Sequence, residues 1–121
     1  MIRTVIESPW RASEYYTVEQ HSLYLDHAIA DSINRGETPY ASHKMLTASM
    51  DDQDPAQREA GINAGYAWGC LADRIAVYGD FGLSSGMKAA VDHYRRLGLP
   101  IEWRSLPHKL VDSIKKLKEP A

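Results

Sequence analysis

The sequence has a single cysteine, Cys70, among 121 residues. One cysteine excludes an intrachain disulfide, and because Cys70 lies in an apolar helical stretch we expect a buried, unreactive thiol. The sequence also lacks an apolar run of the ~18 residues that span a bilayer, and its N-terminus lacks the apolar core of a signal peptide. We therefore expect a cytoplasmic protein that does not enter a membrane.

An excess of charge of one sign is missing as well. Fourteen basic residues stand against 16 acidic residues, for a formal net charge of −2. This balance gives no overall field that would attract nucleic acid or an anionic membrane, so we expect neither as a partner. The hydrophobic share of 44% and the charged share of 25% are typical of a globular chain. The length suits one domain, since domains cluster near about 100–150 residues.

Short β-branched runs alternate with helical patterns along the chain. Strands are predicted at residues 3–7, 39–41, 74–78 and 101–104, and helices at 17–36, 55–72, 87–97 and 107–118. This order predicts βαβ units, hence a small three-layer Rossmann-like α/β domain with a mainly parallel sheet of about four to five strands. Residues 1–106 are expected to form that domain. Residues 107–121 are expected to form a C-terminal helix that packs on it or extends from it.

Local signals mark two helix starts. Thr17 with Gln20 three residues later predicts a capping box. Asp54 followed by Pro55 is typical of an N-cap and the first helical position. An apolar stripe at helical spacing predicts the core-facing side of the first helix: Val18, Leu25, Ile29 and Ile33.

The loop at residues 79–87 is the strongest candidate for a ligand site, because it holds three glycines and two serines between a strand and a helix. Glycine allows positive φ and close approach to the backbone, and the first N–H groups of a helix favour an anion such as phosphate. A tight turn with a serine N-cap is the alternative. The position after a parallel strand favours a ligand site, although neither the Walker nor the dinucleotide pattern is present. The predicted ligand-binding residues are Ser8, Pro9, His43, Asp80, Gly82, Ser84, Ser85, Gly86 and Met87.

Carboxylates supply the candidate catalytic residues. Glu7 ends the first strand, where it could bind ribose hydroxyls or act as a base, although a strand-terminal turn explains it as well. Asp80 and Glu59 are the other candidates. One acidic cluster with a histidine lacks the spacing of zinc and calcium sites and suits a helix cap, so we expect no metal and no cofactor: Asp51, Asp52, Asp54 and His43.

Three glycines recur at every fourth residue of the second long helix: Gly61, Gly65 and Gly69. Each costs about 1 kcal/mol relative to alanine in a helix interior, so their shared face needs a compensating reason. We expect close packing, including a subunit contact, and therefore a homo-oligomer. Tyr66 and Trp68 are expected to be core or interface aromatics. The remaining histidines have no catalytic spacing and are expected to be surface or half-buried: His21, His27, His93 and His108.

Several of these segments together resemble a family of small bacteriophage and prophage proteins. The segments are Glu7-Ser8-Pro9, Ala41-Ser42-His43, Asp51-Asp52 with Pro55, residues 58–68 and residues 80–87. That family resembles the nucleoside 2-deoxyribosyltransferase-like group of the Rossmann-like nucleotide-binding superfamily. The resemblance spans roughly residues 3–106 and implies the fold and a pocket shaped for a nucleoside or nucleotide.

The resemblance does not extend to the reaction. In the deoxyribosyltransferases the corresponding loop is followed, four residues after its glycine, by the glutamate that attacks the sugar. Here Ala90 stands at that position, and alanine cannot do covalent or acid–base work. Asp92 lies two residues further on, about 200° around the helix, and would face away.

Three hypotheses follow. The first is a binder of a nucleoside, a nucleotide or a nucleotide-derived signal, which in a phage setting could sequester a defence signal. The second is an N-glycosidase or glycosyl transferase that uses Glu7, Asp80 or Glu59. The third is an interaction protein that has lost its ligand. Ala90 disfavours ordinary deoxyribosyl transfer and the loop at 79–87 disfavours a purely structural role, so the binder ranks first.

Overall fold

The computed structural model describes residues 1–47, 49–51 and 53–117. Asp52 and Lys118, which entered the predictions above, lie outside the described residues. The elements are, in chain order, β1 (Ile2–Glu7), α1 (Val18–Asn34), β2 (Glu37–Tyr40), α2 (Ser42–Thr47), α3 (Pro55–Gly69), β3 (Arg74–Tyr78), α4 (Ser85–Arg96), β4 (Ile101–Arg104) and α5 (His108–Lys115).

The four described strands form one parallel sheet in the order β2-β1-β3-β4. Val5 is the register partner of Tyr40 on one side and of Ile75 on the other. Helices cover both faces of the sheet, which confirms the predicted three-layer Rossmann-like class. Because all strands run in one direction, their carboxyl ends meet at one edge, where such folds bind ligands.

Side chains at alternate positions of the strands point to opposite faces of the sheet and pack into two separate cores. Ile75 and Val77 pack with Val5 beneath α4, whereas Ala76 and Tyr78 pack on the opposite face with α1 and α5. All four of these β3 residues are fully buried. A central parallel strand buried on both faces reads as a continuous apolar run, which is what the sequence at 75–78 shows.

The predicted caps of α1 and α3 are confirmed. The backbone N–H of Gln20 donates to Thr17 Oγ1 at 3.1 Å, and the N–H of Thr17 donates to the Gln20 side-chain oxygen at 2.9 Å. Asp54 caps α3 by accepting from the N–H of Ala56 at 3.0 Å, with Pro55 at the first helical position. These local signals hold because each satisfies backbone N–H groups that the helix itself leaves free.

The predicted buried stripe of α1 is right in part. Leu25 is buried and Ile29 packs against the core, whereas Val18 and Ile33 are exposed. The buried residues of α1 are Gln20, His21, Tyr24, Leu25, Ala28 and Ser32. Polar residues can be buried there because they are hydrogen-bonded. Gln20 Nε2 donates to the carbonyl of Ile114 at 3.0 Å, and Ser32 Oγ donates to Glu37 at 2.7 Å.

Cys70 is exposed, which corrects the expectation of a buried thiol. Helix α3 ends at Gly69, short of the predicted residue 72, so Cys70 sits at the C-cap and its Sγ donates to the carbonyl of Ala67.

Residues 42–47, which the sequence left open, form α2. Helix α5 packs on α1 through the buried Val111 and Ile114, while the division of the chain at residue 106 stays a prediction. No helix in the described ranges has both the length and the apolar character to cross a bilayer.

Candidate functional site

A cavity of about 780 Å³ opens at the carboxyl edge of the sheet. Its walls come from the end of β1 and the loop that follows, from α2 and α3, and from the β3–α4 loop with the first turns of α4. This size lies within the ~300–1,000 Å³ typical of small-molecule sites.

The β3–α4 loop forms one wall. Gly82 adopts a φ of +85°, which a residue with a side chain rarely adopts. Ser84 caps α4, since its Oγ accepts from the N–H of Met87 at 3.2 Å, and the helix begins two residues earlier than predicted. The predicted ligand-binding residues that line the cavity are Ser8, Pro9, His43, Gly82, Ser84, Ser85, Gly86 and Met87.

Asp80 and Glu59 do not line the cavity. The Asp80 carboxylate accepts a hydrogen bond from the Tyr24 hydroxyl at 2.6 Å and another from the N–H of Leu106 at 2.9 Å. It therefore joins the end of β3 to α1 and to the segment before α5. Glu59 is exposed on α3. Of the three predicted carboxylates, the structure brings only Glu7 to the cavity.

Glu7 lies at the carboxyl end of β1, beside Val77 of β3. Burial raises the pKa of Glu7 to about 8, so the carboxyl is mainly protonated at neutral pH. Tyr66 of α3 and Tyr94 of α4 are its neighbours: burial, and secondarily the charge that Glu7 carries when ionised, raise the pKa of both phenols. The Glu7 carboxyl and the two phenols therefore give this part of the cavity wall acidic groups that carry no charge at neutral pH.

Ser8 and His43 form a second polar group in the wall. Ser8 Oγ and His43 Nε2 share a hydrogen bond of 3.0 Å, and the imidazole ring meets Trp10 edge-on at 5.9 Å. Burial, aided by the charge of Lys44, lowers the pKa of His43 to about 4. The imidazole is therefore neutral at physiological pH, and this pair presents hydrogen-bonding groups without charge.

Ala90, the residue four positions after Gly86, lines the cavity and is 3% exposed. Tyr94, one turn further along α4, lines it as well. Asp92 does not: its exposed side chain accepts a hydrogen bond from Arg96 at 2.9 Å. The structure thus gives α4 no carboxylate among the residues that line the cavity.

Several cavity residues were missed from the sequence. His21 was expected to be a surface or half-buried residue but is buried, with Nδ1 2.8 Å from the carbonyl of Arg11. Tyr66, expected in a core or interface, lines the cavity and stacks on His93 with ring centroids 3.9 Å apart. Tyr94 alone had a usable signal, since Gly86, Ala90 and Tyr94 recur every four residues and so share a helix face.

The three glycines of α3 meet different surroundings. A Cβ atom at Gly65 would lie 2.9 Å from the Ser42 side chain, and one at Gly69 would overlap the Tyr94 ring. These two glycines therefore allow close packing within the chain. Gly61 has open space around it and lines the cavity. The homo-oligomer stays a prediction.

Within the described ranges, no group of three or more His, Cys, Asp and Glu side chains could hold a metal ion. The acidic residues before α3 act on the backbone instead. Asp51 Oδ1 accepts from the N–H of Gln53 at 2.9 Å, and Asp54 caps the helix.

The chain belongs to the family described as Domain of unknown function (DUF7768), whose model matches residues 3–104. No curated protein matches its sequence. Among solved structures it is similar to the 2-deoxyribosyltransferase of the psychrotolerant bacterium Bacillus psychrosaccharolyticus, with a TM-score of 0.61 and 13% identity over 97% of this chain and 93% of the other. The likeness shows a common Rossmann-like fold and confirms the expected fold relationship.

Proposed function

We propose that this member of the DUF7768 family binds a nucleoside or nucleotide in the cavity and does not perform ordinary deoxyribosyl transfer. The fold shared with a 2-deoxyribosyltransferase supports the ligand class. Ala90 is the observation that argues against ordinary deoxyribosyl transfer, because it lines the cavity where the resemblance requires a nucleophilic glutamate. A methyl group cannot form a covalent intermediate with the sugar.

The cavity wall suits a ligand with an aromatic ring. Tyr66 and Tyr94 lie near Glu7, and Trp10, Tyr16 and Phe81 line the region toward the β1–α1 loop. Aromatic side chains bind planar rings through their faces and edges, and a few neutral polar groups then fix the orientation of the ligand. A nucleoside has a planar base and a hydroxyl-rich sugar, and it meets both requirements.

The proposal is tested by thermal shift and mass spectrometry of the purified chain with nucleosides, nucleotides, NAD and cyclic nucleotides. A ligand present at 100 times its dissociation constant adds about 2.7 kcal/mol to the free energy of unfolding. We expect a shift with the ligand mass unchanged. If none of these compounds moves the melting temperature, the proposal is wrong and the interaction-protein hypothesis gains.

Gly61→Leu locates the binding. A Cβ atom at Gly61 would meet nothing within 4 Å, and Gly61 lines the cavity. Leucine at this position should therefore fill ligand space while the fold is kept. Asn63→Leu is the matched control, because Asn63 is exposed on the same helix and does not line the cavity. We expect Gly61→Leu alone to abolish the ligand-induced shift. Equal shifts in the two variants would place the ligand elsewhere.

Glu7 favours one second candidate, hydrolysis of a nucleoside N-glycosidic bond. A protonated Glu7 could transfer its proton to a base nitrogen as the bond from that base to the sugar breaks. Water would then add to the anomeric carbon and return a proton to the carboxylate. Release of free base from the wild type but not from Glu7→Gln would support this candidate over simple binding.

The finer predictions rest on the resemblance and the residue patterns. They are a phage setting, a nucleotide-derived signal as the ligand, a cytoplasmic location and a homo-oligomer. Sedimentation of the purified chain tests the last of these directly.

A further inference from the structure

We infer that Glu7 binds the nucleobase of the ligand, its carboxyl group donating one hydrogen bond to the base edge and accepting another from a neighbouring atom of that edge. The inference rests on the proposed function and deepens it, because it names the part of the ligand that Glu7 contacts and the pattern that it selects. A base with a hydrogen-bond acceptor beside an N–H group satisfies this pattern. A phosphate, which offers only acceptors at neutral pH, does not.

The position of Glu7 carries the inference. Its side chain lies on the sheet face that Val5 and Val77 also share, at the edge where β1 ends in the cavity. No described residue forms a hydrogen bond or an ion pair with its carboxyl, so its hydrogen-bonding groups are left for a ligand. Ala90 of α4 also lines this cavity, and its small side chain leaves room there.

Two aromatic rings lie near this carboxyl. Tyr66 stacks on His93 and meets Tyr94 edge-on, with ring centroids 5.6 Å apart in the second contact. Both tyrosines line the cavity. A flat heterocycle that forms hydrogen bonds with Glu7 would therefore contact the aromatic rings, whereas a sugar in its place would offer them no planar ring to pack against.

The charge state follows from the surroundings. The titratable residues that line the same cavity as Glu7 are Arg11, Tyr15, Tyr16, His21, His43, Arg58, Tyr66 and Tyr94. Behind them, Tyr40 and Cys70 lie near Tyr94, and His93 stacks on Tyr66. Burial is the cause that acts on Glu7, and it keeps the proton on the carboxyl up to a pH of about 8. Above that pH the group becomes an acceptor only and loses its donated hydrogen bond.

The experiment is isothermal titration of the full chain with adenosine and cytidine between about pH 6 and pH 10. Both bases present an acceptor beside an amino group, and neither gains nor loses a proton at neutral or mildly alkaline pH. For the wild type we expect constant affinity up to about pH 8 and then a fall that approaches about tenfold per pH unit. The variants are Glu7→Gln, which keeps a donor and an acceptor without charge, and Glu7→Ala, which keeps neither.

We expect Glu7→Gln to bind within a few-fold of the wild type at neutral pH and to lose the alkaline dependence. Glu7→Ala should bind at least about tenfold more weakly at every pH, the effect of about 1.4 kcal/mol. Glu59→Gln, on the exposed side of α3, should titrate like the wild type. The melting temperature of each unliganded variant shows that it is folded.

Two results overturn the inference while the proposed function stands. One is nucleoside binding that Glu7→Ala leaves unchanged, and the other is an alkaline loss of affinity that persists in Glu7→Gln. Binding of inorganic phosphate with the same dependence on Glu7 would also overturn it. If the wild type binds neither nucleoside and the wider ligand panel also fails, the proposed function is wrong and the inference fails with it.

Discussion

Arg104 and Glu37 form a buried, two-pronged ion pair between the strands at opposite edges of the sheet. Arg104 Nη1 and Nη2 donate to the two Glu37 carboxylate oxygens at 2.7 and 2.6 Å, and the two side chains are 1% and 2% exposed. Arg104 ends β4 and Glu37 begins β2, the two outer strands of the described sheet. Tyr78 on β3 accepts a further bond from Arg104 at 3.2 Å. The pair therefore links the outer strands across β1 and β3.

We predict that Arg104→Met lowers the free energy of unfolding by about 3–5 kcal/mol. The substitution removes both hydrogen bonds of Arg104 to the buried Glu37 carboxylate and leaves Arg74, whose Nη1 lies 3.2 Å from Glu37 Oε2, as its cation. Arg96→Met is the control. Arg96 and Asp92 form an ion pair whose side chains are 79% and 62% exposed, and such pairs contribute at most about 1 kcal/mol. Urea unfolding of both variants measures the difference. Losses of similar size would contradict a structural role for the buried pair.

The same pair predicts how stability falls in acid. Hydrogen bonds from Arg104 lower the pKa of Glu37 from 4.5 to about 2, so its contribution is complete above pH 4.5 and is lost as the pH falls toward 2. His43, whose pKa falls from 6.5 to about 4 on burial, adds a separate loss between pH 6.5 and 4. Glu7→Gln is the background for the measurement, because it lacks the opposing titration of Glu7 between pH 8 and 4.5. Its unfolding free energy measured against pH should show both stages. Adding His43→Gln should remove the upper stage alone, and a single stage in Glu7→Gln would contradict the assignment.

Glu7 should act in the opposite direction. Burial raises its pKa from 4.5 to about 8, so the folded state is favoured below pH 4.5 and loses stability as the pH rises through 8. We expect Glu7→Gln to be more stable than the wild type at pH 8, with a difference that shrinks toward pH 5. Melting temperatures of the two unliganded proteins across this range measure it. A constant difference would mean that Glu7 does not titrate in the folded chain.

The glycines of α3 give a matched pair of substitutions. Gly69→Ala should destabilise the chain by about 1–3 kcal/mol, because the new Cβ would overlap the buried Tyr94 ring, with its Cζ only 2.7 Å away. Gly61→Ala should stabilise it by up to about 1 kcal/mol, because the methyl group meets open space and alanine favours the helix. Denaturant unfolding of both variants tests the pair, and the same sign for both would contradict it.

Asp80 should prove structural. Asp80→Ala removes the acceptor for Tyr24 and Leu106, so we expect a loss of about 1–3 kcal/mol in unfolding free energy. Nucleoside affinity of the folded variant should stay near that of the wild type, because Asp80 does not line the cavity. Calorimetry below the lowered melting temperature measures both. A large loss of affinity with unchanged stability would return Asp80 to the list of catalytic candidates.

The sequence by itself determined the features that depend on neighbouring residues. The capping pair of Thr17 and Gln20, the Asp54 cap and the order of strands and helices follow from local hydrogen bonds and periodicity. The strand order then directs the β3–α4 loop to the carboxyl edge, which is why Gly82 and Ser84 were predicted at the site and line the cavity.

Only the tertiary structure decided what depends on distant contacts. The buried face of α1 includes the polar residues Gln20 and Ser32 because they form hydrogen bonds to α5 and β2. The periodicity of apolar residues carries no information about such distant partners. Glu7, Tyr66 and Tyr94 come from a strand and two helices, and packing brings them to one cavity. The uncharged state of Glu7 arises from that packing too, since burial is a property of the fold and not of the residue.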